Sequence, residues 1–391
     1  MNIGVDATCW QNKRGYGRHA RSLLNALIKL DTENKYVLFL DSDEELDSLP
    51  PEAQVNLVRS KTAPTAVAAS SNGHRSVTDM WRMARSLSAA NLDVLLFPTI
   101  YSYVPVASRA RKITMIHDVI AEKYPELTMP RRQARLFWKT KVALGRWQAD
   151  AVATVSDYSR QGIVEHFRMP AERVHVVGEA SDPVFRVLED PQLPVRLKSF
   201  GLAETQRLIV YVGGFSPHKN LEALISVFAK VVKQPTFEDV RLVLVGEDKK
   251  EVFHSYAGTI KRQIEQLGLT EHAKFTGYLS DEELVELLNL ATVSVLPSLI
   301  EGFGLPAVEA AACGCPVIAT NESPLPQLLG DGGLYFNPTS LEELESALIK
   351  VLESDSLRRK MSEAGRQAAG CLTWEAAAQQ MMTLIQNVAA S

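Results

Sequence analysis

Seven residues separate two glutamates in one short run, Glu301-Gly302-Phe303-Gly304-Leu305-Pro306-Ala307-Val308-Glu309. Their surroundings decide what they can do. Val293 to Leu296 is a short apolar run of the kind that forms a buried parallel strand. A loop carrying Gly302 and Gly304 follows, and Pro306 fits the first turn of a helix, where a missing N–H costs nothing. Ala307 to Cys313 are mostly small and helix-compatible, Gly314 stops the helix, and Pro316 to Ala319 begin another strand. A strand, a glycine loop and a helix N-terminus together present unpaired amides and the positive end of a helix dipole, which suits an anion. Glu309 is expected in the first turn, where the dipole keeps it ionised, and an ionised carboxylate accepts from two adjacent hydroxyls at once. Amides for phosphate flanked by carboxylates for hydroxyls describe a nucleotide-sugar site.

Other residues with chemistry in them stand at the ends of apolar runs. Asn2 to Ala7 read as a first strand, followed by Lys13-Arg14-Gly15-Tyr16-Gly17-Arg18 and an amphipathic helix with Leu23, Leu24, Leu27 and Leu30 on one side. The glycine pair Gly15 and Gly17 fits either a close approach of backbone to ligand or a plain tight turn. Tyr36 to Leu40 make a strand; the Asp41-Ser42-Asp43 after it, with Glu44, Glu45 and Asp47 close behind, reads as a solvated acidic loop rather than a metal site. Residues 60–78 read as a mobile loop and 79–87 as a short helix. Asp93 to Phe97 form a strand, and Lys112 to Ile116 another. The latter ends in His117-Asp118, at the carboxyl end of a parallel strand, where open α/β sheets bind ligands. Arg207 to Val212 restart the strand–helix alternation, with the loop Gly213-Gly214-Phe215-Ser216-Pro217-His218-Lys219-Asn220 after it. That loop lacks the second Gly and the Ser/Thr of a P-loop. Arg241 to Gly246 and Lys274 to Leu279 continue the pattern, Leu334 to Phe336 end it, and helices follow at about 340–353, 355–369 and from 373 onward.

The run Glu-Gly-Phe-Gly-Leu-Pro-x-x-Glu resembles the motif of retaining GT-B glycosyltransferases, specifically glycosyltransferase family four, and the likeness extends over essentially the whole chain. The resemblance implies an α/β architecture of two Rossmann-like parallel-sheet domains facing a central cleft. Residues 1–180 form the first, 181–206 the linker, 207–370 the nucleotide-sugar donor domain, and a terminal helix over 373–391 crosses back to the first domain. It implies that Glu301 faces the donor sugar, Glu309 holds the ribose hydroxyls, and the backbone of Gly302, Phe303, Gly304 and Leu305 touches sugar and diphosphate. Lys219 would neutralise the diphosphate and His117 would lie near the donor sugar, so that His117, Glu301 and Lys219 carry catalysis. Gly15 and Gly17 would face the donor, and the backbone at Tyr278 and Leu279 the nucleobase. Gly214 stands where the family often has an Arg, a departure that bears on the number of phosphate-binding cations. The implied reaction moves a hexose from a nucleotide-diphosphate sugar to a hydroxyl of a growing glycan or lipid-linked saccharide, with retained configuration and without metal or other cofactor. UDP-glucose is the first donor expected and GDP-mannose the second. A non-catalytic nucleotide-sugar binding module and a GT-B epimerase or phosphorylase remain as alternatives.

Composition is consistent with this. A chain of 391 residues with 46% hydrophobic and 23% charged residues reads as two globular domains. No apolar run approaches the ~18 residues of a membrane span. The N-terminus lacks the regions of a signal peptide and reads as cytoplasmic. Cys9, Cys313, Cys315 and Cys371 form no Cys-x-x-Cys pair and read as packing residues. Residues 1–180 hold 24 Lys and Arg against 19 Asp and Glu, the remainder 18 against 27, so the first half is the one to face an anionic partner. Within it, Arg131, Arg132, Arg135, Lys139, Lys141 and Arg146 alternate with Phe137, Trp138, Leu144 and Trp147. This pattern fits a helix on an anionic membrane or a solvated basic face over buried aromatics. No nucleic-acid partner is expected.

Overall fold

In the computed structural model the chain divides into two compact units, Met1–Glu179 with Thr373–Ser391, and Ala180–Leu372. The structure describes residues 1–12, 15–62, 64–65, 76–129, 131–247 and 256–391. Lys13 and Arg14 of the expected glycine loop and residues 63 and 66–75 of the expected mobile loop lie outside these.

The first unit is built on seven strands: β1 (Asn2–Asp6), β2 (Lys35–Leu40), β3 (Gln54–Leu57), β4 (Val94–Phe97), β5 (Arg111–Met115), β6 (Ala151–Thr154) and β7 (Val174–Val176). They pair in the order β3-β2-β1-β4-β5-β6-β7, every pair parallel. β4 and β6 are buried along their whole length, as strands covered on both faces must be. β3 has no counterpart in the sequence reading. It is an edge strand whose Gln54 and Val55 are exposed, so it carries no apolar run to announce it.

The glycine pair corrects an expectation. Gly15 and Gly17 lie in the first turn of the helix Gly15–Leu30 rather than in a loop before it. A Cβ on Gly17 would fall 1.9 Å from the Asn12 carbonyl oxygen, so the close approach that requires glycine is to the chain's own backbone. That helix buries Leu23, Leu24, Leu27 and Ile28, while Leu30 is exposed. The last helix, Trp374–Ala390, is capped by the Thr373 hydroxyl and packs along Gly15–Leu30, burying Met381, Leu384, Ile385 and Val388.

The second unit has six strands: β8 (Leu208–Val212), β9 (Arg241–Val245), β10 (Ala273–Gly277), β11 (Val293–Leu296), β12 (Val317–Thr320) and β13 (Gly333–Phe336). Their order is β10-β9-β8-β11-β12-β13, again all parallel. Val293, Val295 and Leu296 of β11 are essentially inaccessible, each worth about 1.5–3 kcal/mol of apolar burial. The stretch 181–206, expected as a linker, is built into this unit. Val195–Lys198 is a helical turn, Leu193 and Leu197 are buried, and Arg196 donates to the carbonyls of Thr276 and Tyr278, both at 2.8 Å.

Candidate functional site

In a doubly wound sheet, ligands bind outside the carboxyl ends of the strands where the strand order reverses. In the second unit that point lies between β8 and β11. Lys219 follows β8 and Glu301 follows β11, and their charged ends meet, Lys219 Nζ 2.6 Å from Glu301 Oε1. The same carboxylate oxygen accepts from the Ser298 hydroxyl at 2.5 Å. Glu301 is buried and Ser298 fully so. The loop around them is fixed by backbone bonds, Leu299 N–H to the His218 carbonyl at 2.8 Å and Glu301 N–H to the Glu322 carbonyl at 3.0 Å. Lys219 ends a single 3₁₀ turn, Pro217–Lys219, and Asn220 after it adopts the left-handed conformation that Asn tolerates, φ 57°. The Asn220 side-chain amide donates to the carbonyls of Pro297 and Pro338 at 3.1 and 2.9 Å, tying the Lys219 loop to the end of β11. Burial, and after it the Lys219 charge, pushes the buried His218 down to about 3, so it is neutral at pH 7.

The helix expected after Glu301 is Leu305–Ala312. Gly304 stands at its N-cap with φ 88°, and a Cβ there would meet the Leu325 side chain at 2.8 Å, so both conformation and space call for glycine. No side-chain cap bonds this end. Glu309 is the fifth residue of the helix, in its second turn, because the helix already begins at Leu305; the first-turn expectation is corrected accordingly. Helical side chains lean toward the N-terminus, so Glu309, itself buried, leans toward the amide end. Phe303 is buried and Leu305 half-buried. Burial, then the Glu309 charge, raises the Cys313 thiol to about 12, and Cys9, Cys313 and Cys315 are all buried free thiols. The Gly214 carbonyl accepts from the Tyr211 hydroxyl. Leu279 is buried, whereas the Tyr278 side chain is exposed. The Tyr278 carbonyl is taken by Arg196, so it is committed within the chain. Both follow β10, the sheet's edge strand, two strands from β8 and therefore about 10 Å across the sheet. The structure thus joins Lys219 to Glu301 at the start of the Gly302–Glu309 run and sets Tyr278 and Leu279 apart. Ser298 and Asn220 complete the site; only their places, three residues before Glu301 and one after Lys219, hint at them in the sequence.

In the first unit His117 follows β5, as expected from the sequence. The residue is partly exposed, but both ring nitrogens are buried and make no hydrogen bond among the described residues. Burial, and then the neighbouring His19, holds its pKa well below the ordinary histidine value, so the ring is neutral. Asp118 accepts from the Ile120 N–H at 2.9 Å. The Asp41 carboxylate is buried and accepts from the Thr65 N–H and hydroxyl, both at 2.6 Å, whereas Asp43 pairs with Arg59 at the surface; only Asp43 fits the solvated loop expected.

The basic aromatic stretch is the helix Arg132–Gln148. It buries Lys141, Val142 and Gly145, and the Trp138 N–H donates to Glu122 at 2.7 Å. Of the two readings left open, the one with buried aromatics does not hold for Phe137 and Trp147, which are exposed together with Leu136 and Leu144, Trp147 at 78%. At 100° per residue these four share one stripe, and the exposed Arg132 and Lys139 lie along one side of it. No helix among the described residues is long and apolar enough to cross a membrane.

Known proteins bear on this geometry. Residues 195–368 match the model of "Glycosyl transferases group 1", and residues 13–183 that of "Glycosyltransferase Family 4". The chain is 31% identical over 268 residues to the O-antigen chain mannosyltransferase B of Escherichia coli, covering 68% of this chain and 67% of that protein. To the serotype-specific mannosyltransferase WbdA of Escherichia coli it is 25% identical over 96% of this chain, but it spans only 46% of that protein. Among solved structures, sucrose-phosphate synthase from Thermosynechococcus elongatus superposes with a TM-score of 0.76 at 20% identity, covering both chains completely. Anabaena HepE, solved with UDP-glucose, does so at 0.73 and 19% identity, covering 99% of each chain. At these identities the two structures speak for the GT-B fold alone, and the sequence relatives for the chemistry. The chain belongs to the GT-B glycosyltransferase family and is a glycosyltransferase.

Proposed function

We propose that the chain moves a mannosyl group from GDP-mannose to a hydroxyl of a growing glycan or lipid-linked saccharide, with retained anomeric configuration. The observation that carries the reading is the Lys219–Glu301 pair, 2.6 Å apart at the strand-order switch of the second unit and beside the uncapped helix at Gly304. The mannosyl reading is favoured over UDP-glucose, the first expectation, by the two Escherichia coli relatives, both named as mannosyltransferases. In this reading the diphosphate lies at the amides of Gly302 to Leu305 and draws the Lys219 ammonium from Glu301. Glu301 then accepts from hydroxyls of the sugar, Glu309 accepts from the ribose, and neutral His117 bonds a sugar hydroxyl. Tyr278 and Leu279 line the base through groups other than the committed Tyr278 carbonyl. The phosphate oxygen leaves with the anomeric bond's electron pair, and its growing charge is met by amides and Lys219 rather than by a metal. The departing phosphate accepts the proton of the attacking hydroxyl.

A donor panel tests this. GDP-mannose should raise the unfolding midpoint more than UDP-glucose at equal concentration, because a ligand bound only by the native state stabilises it. Lys219→Met should abolish the difference. A larger shift with UDP-glucose would reverse the donor assignment, and transfer activity lost in EDTA and regained with manganese would overturn metal-free departure of the phosphate.

The acceptor side has a surface to match. The exposed Leu136, Phe137, Leu144 and Trp147 beside Arg132 and Lys139 have the composition of a helix lying on an anionic bilayer, where a lipid-linked acceptor is presented.

A further inference from the structure

Three side chains of the first unit converge: His19 on the helix Gly15–Leu30, His117 after β5 and Glu179 after β7. One ligating atom from each lies within 4.8 Å of the other two. His19 Nδ1 is 2.7 Å from Glu179 Oε1 yet makes no hydrogen bond of normal geometry, and neither nitrogen of His117 has a hydrogen-bond partner among the described residues. His19 Nε2 is turned to the Met115 sulfur at 3.2 Å, which leaves Nδ1 as the donor facing the cluster. The two imidazoles meet edge to face at 4.9 Å, and the Trp374 ring also packs edge to face on His19 at 5.4 Å. His19 and Glu179 are buried. A buried polar nitrogen without a partner is costly, and a bound species is one way of satisfying it.

Size and charge select that species. Donor atoms less than 5 Å apart admit one atom between them and no sugar or phosphate. The Glu179 carboxylate repels an anion. Two imidazoles and one carboxylate are the donor set of an open zinc site, with a fourth position left for water. Bonds of about 2.0–2.2 Å place ligand atoms about 3.4 Å apart, so the wider pair closes by ring rotation while the His19–Glu179 contact opens. Any proton on His19 Nδ1 leaves to solvent as the metal takes the lone pair.

We infer that His19, His117 and Glu179 form a binding site for a divalent cation of the zinc class. Where the transfer reading holds, an ion here takes a lone pair of His117, so zinc inhibits transfer and a chelator restores it; the binding itself does not rest on that reading. The test uses the full chain carrying Cys371→Ser, which removes the exposed thiol. The protein is stripped with chelator and dialysed against zinc chloride, and its metal is counted by elemental analysis; cobalt(II) is titrated separately by visible absorption. About one equivalent of zinc is expected, with cobalt bands of four-coordinate intensity, and roughly tenfold or greater weakening in both His19→Ala and Glu179→Gln. Circular dichroism checks that the variants fold, and His19→Gln stands in if His19→Ala does not. Zinc uptake equal in parent and variants, or absent in the parent, overturns the site.

Discussion

Lys219 and Glu301 neutralise one another, and in the proposed reading each turns to a different part of the donor when the diphosphate binds. Lys219→Met should therefore weaken nucleoside-diphosphate binding by about 10–100-fold, the worth of a charge-assisted contact. Glu309→Gln, which keeps volume but removes charge, should cost roughly 1.5–3 kcal/mol of the same binding if Glu309 holds the ribose. Calorimetry with GDP reads both, and unchanged affinity in either variant removes that residue from the site. Glu122 makes a separate prediction about stability. Burial, set against the Trp138 N–H and added to by the Asp118 charge, raises its pKa from 4.5 to about 7. A carboxyl raised on folding contributes fully below pH 4.5, and that contribution is lost as pH rises through 7. Glu122→Gln keeps the acceptor for Trp138, so it should unfold at higher urea than the parent at pH 8, by roughly 1–3 kcal/mol, and lose this advantage at pH 4.5. A pH-independent difference would contradict the assignment. At this scale Glu301, Glu309, Lys219 and His117 stand out in the sequence because type and spacing are local, while the roles proposed for them came from the resemblance. Ser298 and Asn220 do not stand out, since each gains its role from a partner that only folding brings near. The His19–Glu179 pair was hidden for the same reason, its members 160 positions apart in the sequence.

Elements with a strong apolar run were readable, and those shaped by a neighbour were not. β11 and the helix after Gly304 follow from an apolar run, a glycine and a proline. β3 escaped because an edge strand needs no apolar face, and the helix at Gly15 began earlier than a Gly-x-Gly suggests because its glycines serve packing on Asn12. The basic helix Arg132–Gln148 had two open readings, and the exposure of Phe137 and Trp147 fits the membrane contact proposed for it. Replacing Phe137 and Trp147 with Ser should reduce sedimentation with anionic vesicles at every salt concentration, whereas Arg132→Ser with Lys139→Ser should reduce it most at low salt. Equal binding by both variants and the parent would return the helix to a solvated face.

Two all-parallel sheets give the molecule two strand-order reversals, one in each unit, and the second carries the charged pair. The alternation of strand and helix made the α/β class legible from apolar runs, while the pair of Rossmann-like domains came from the resemblance carried by the Glu301–Glu309 run. The fate of 181–206 was not legible, because a proline-rich stretch without period looks the same whether it swings free or is held by Arg196. Donor identity rests on a few contacts to base and sugar, which neither apolar pattern nor backbone course encodes. The central claim, a retaining mannosyl transfer organised by Lys219 and Glu301, is tested most directly by proton NMR of GDP-mannose with a mannose-ended lipid-linked acceptor. The account predicts a new α-mannosyl anomeric signal growing as GDP appears, and its loss in Glu301→Gln that still binds GDP. A β-linked product, or undiminished transfer by Glu301→Gln, would contradict it.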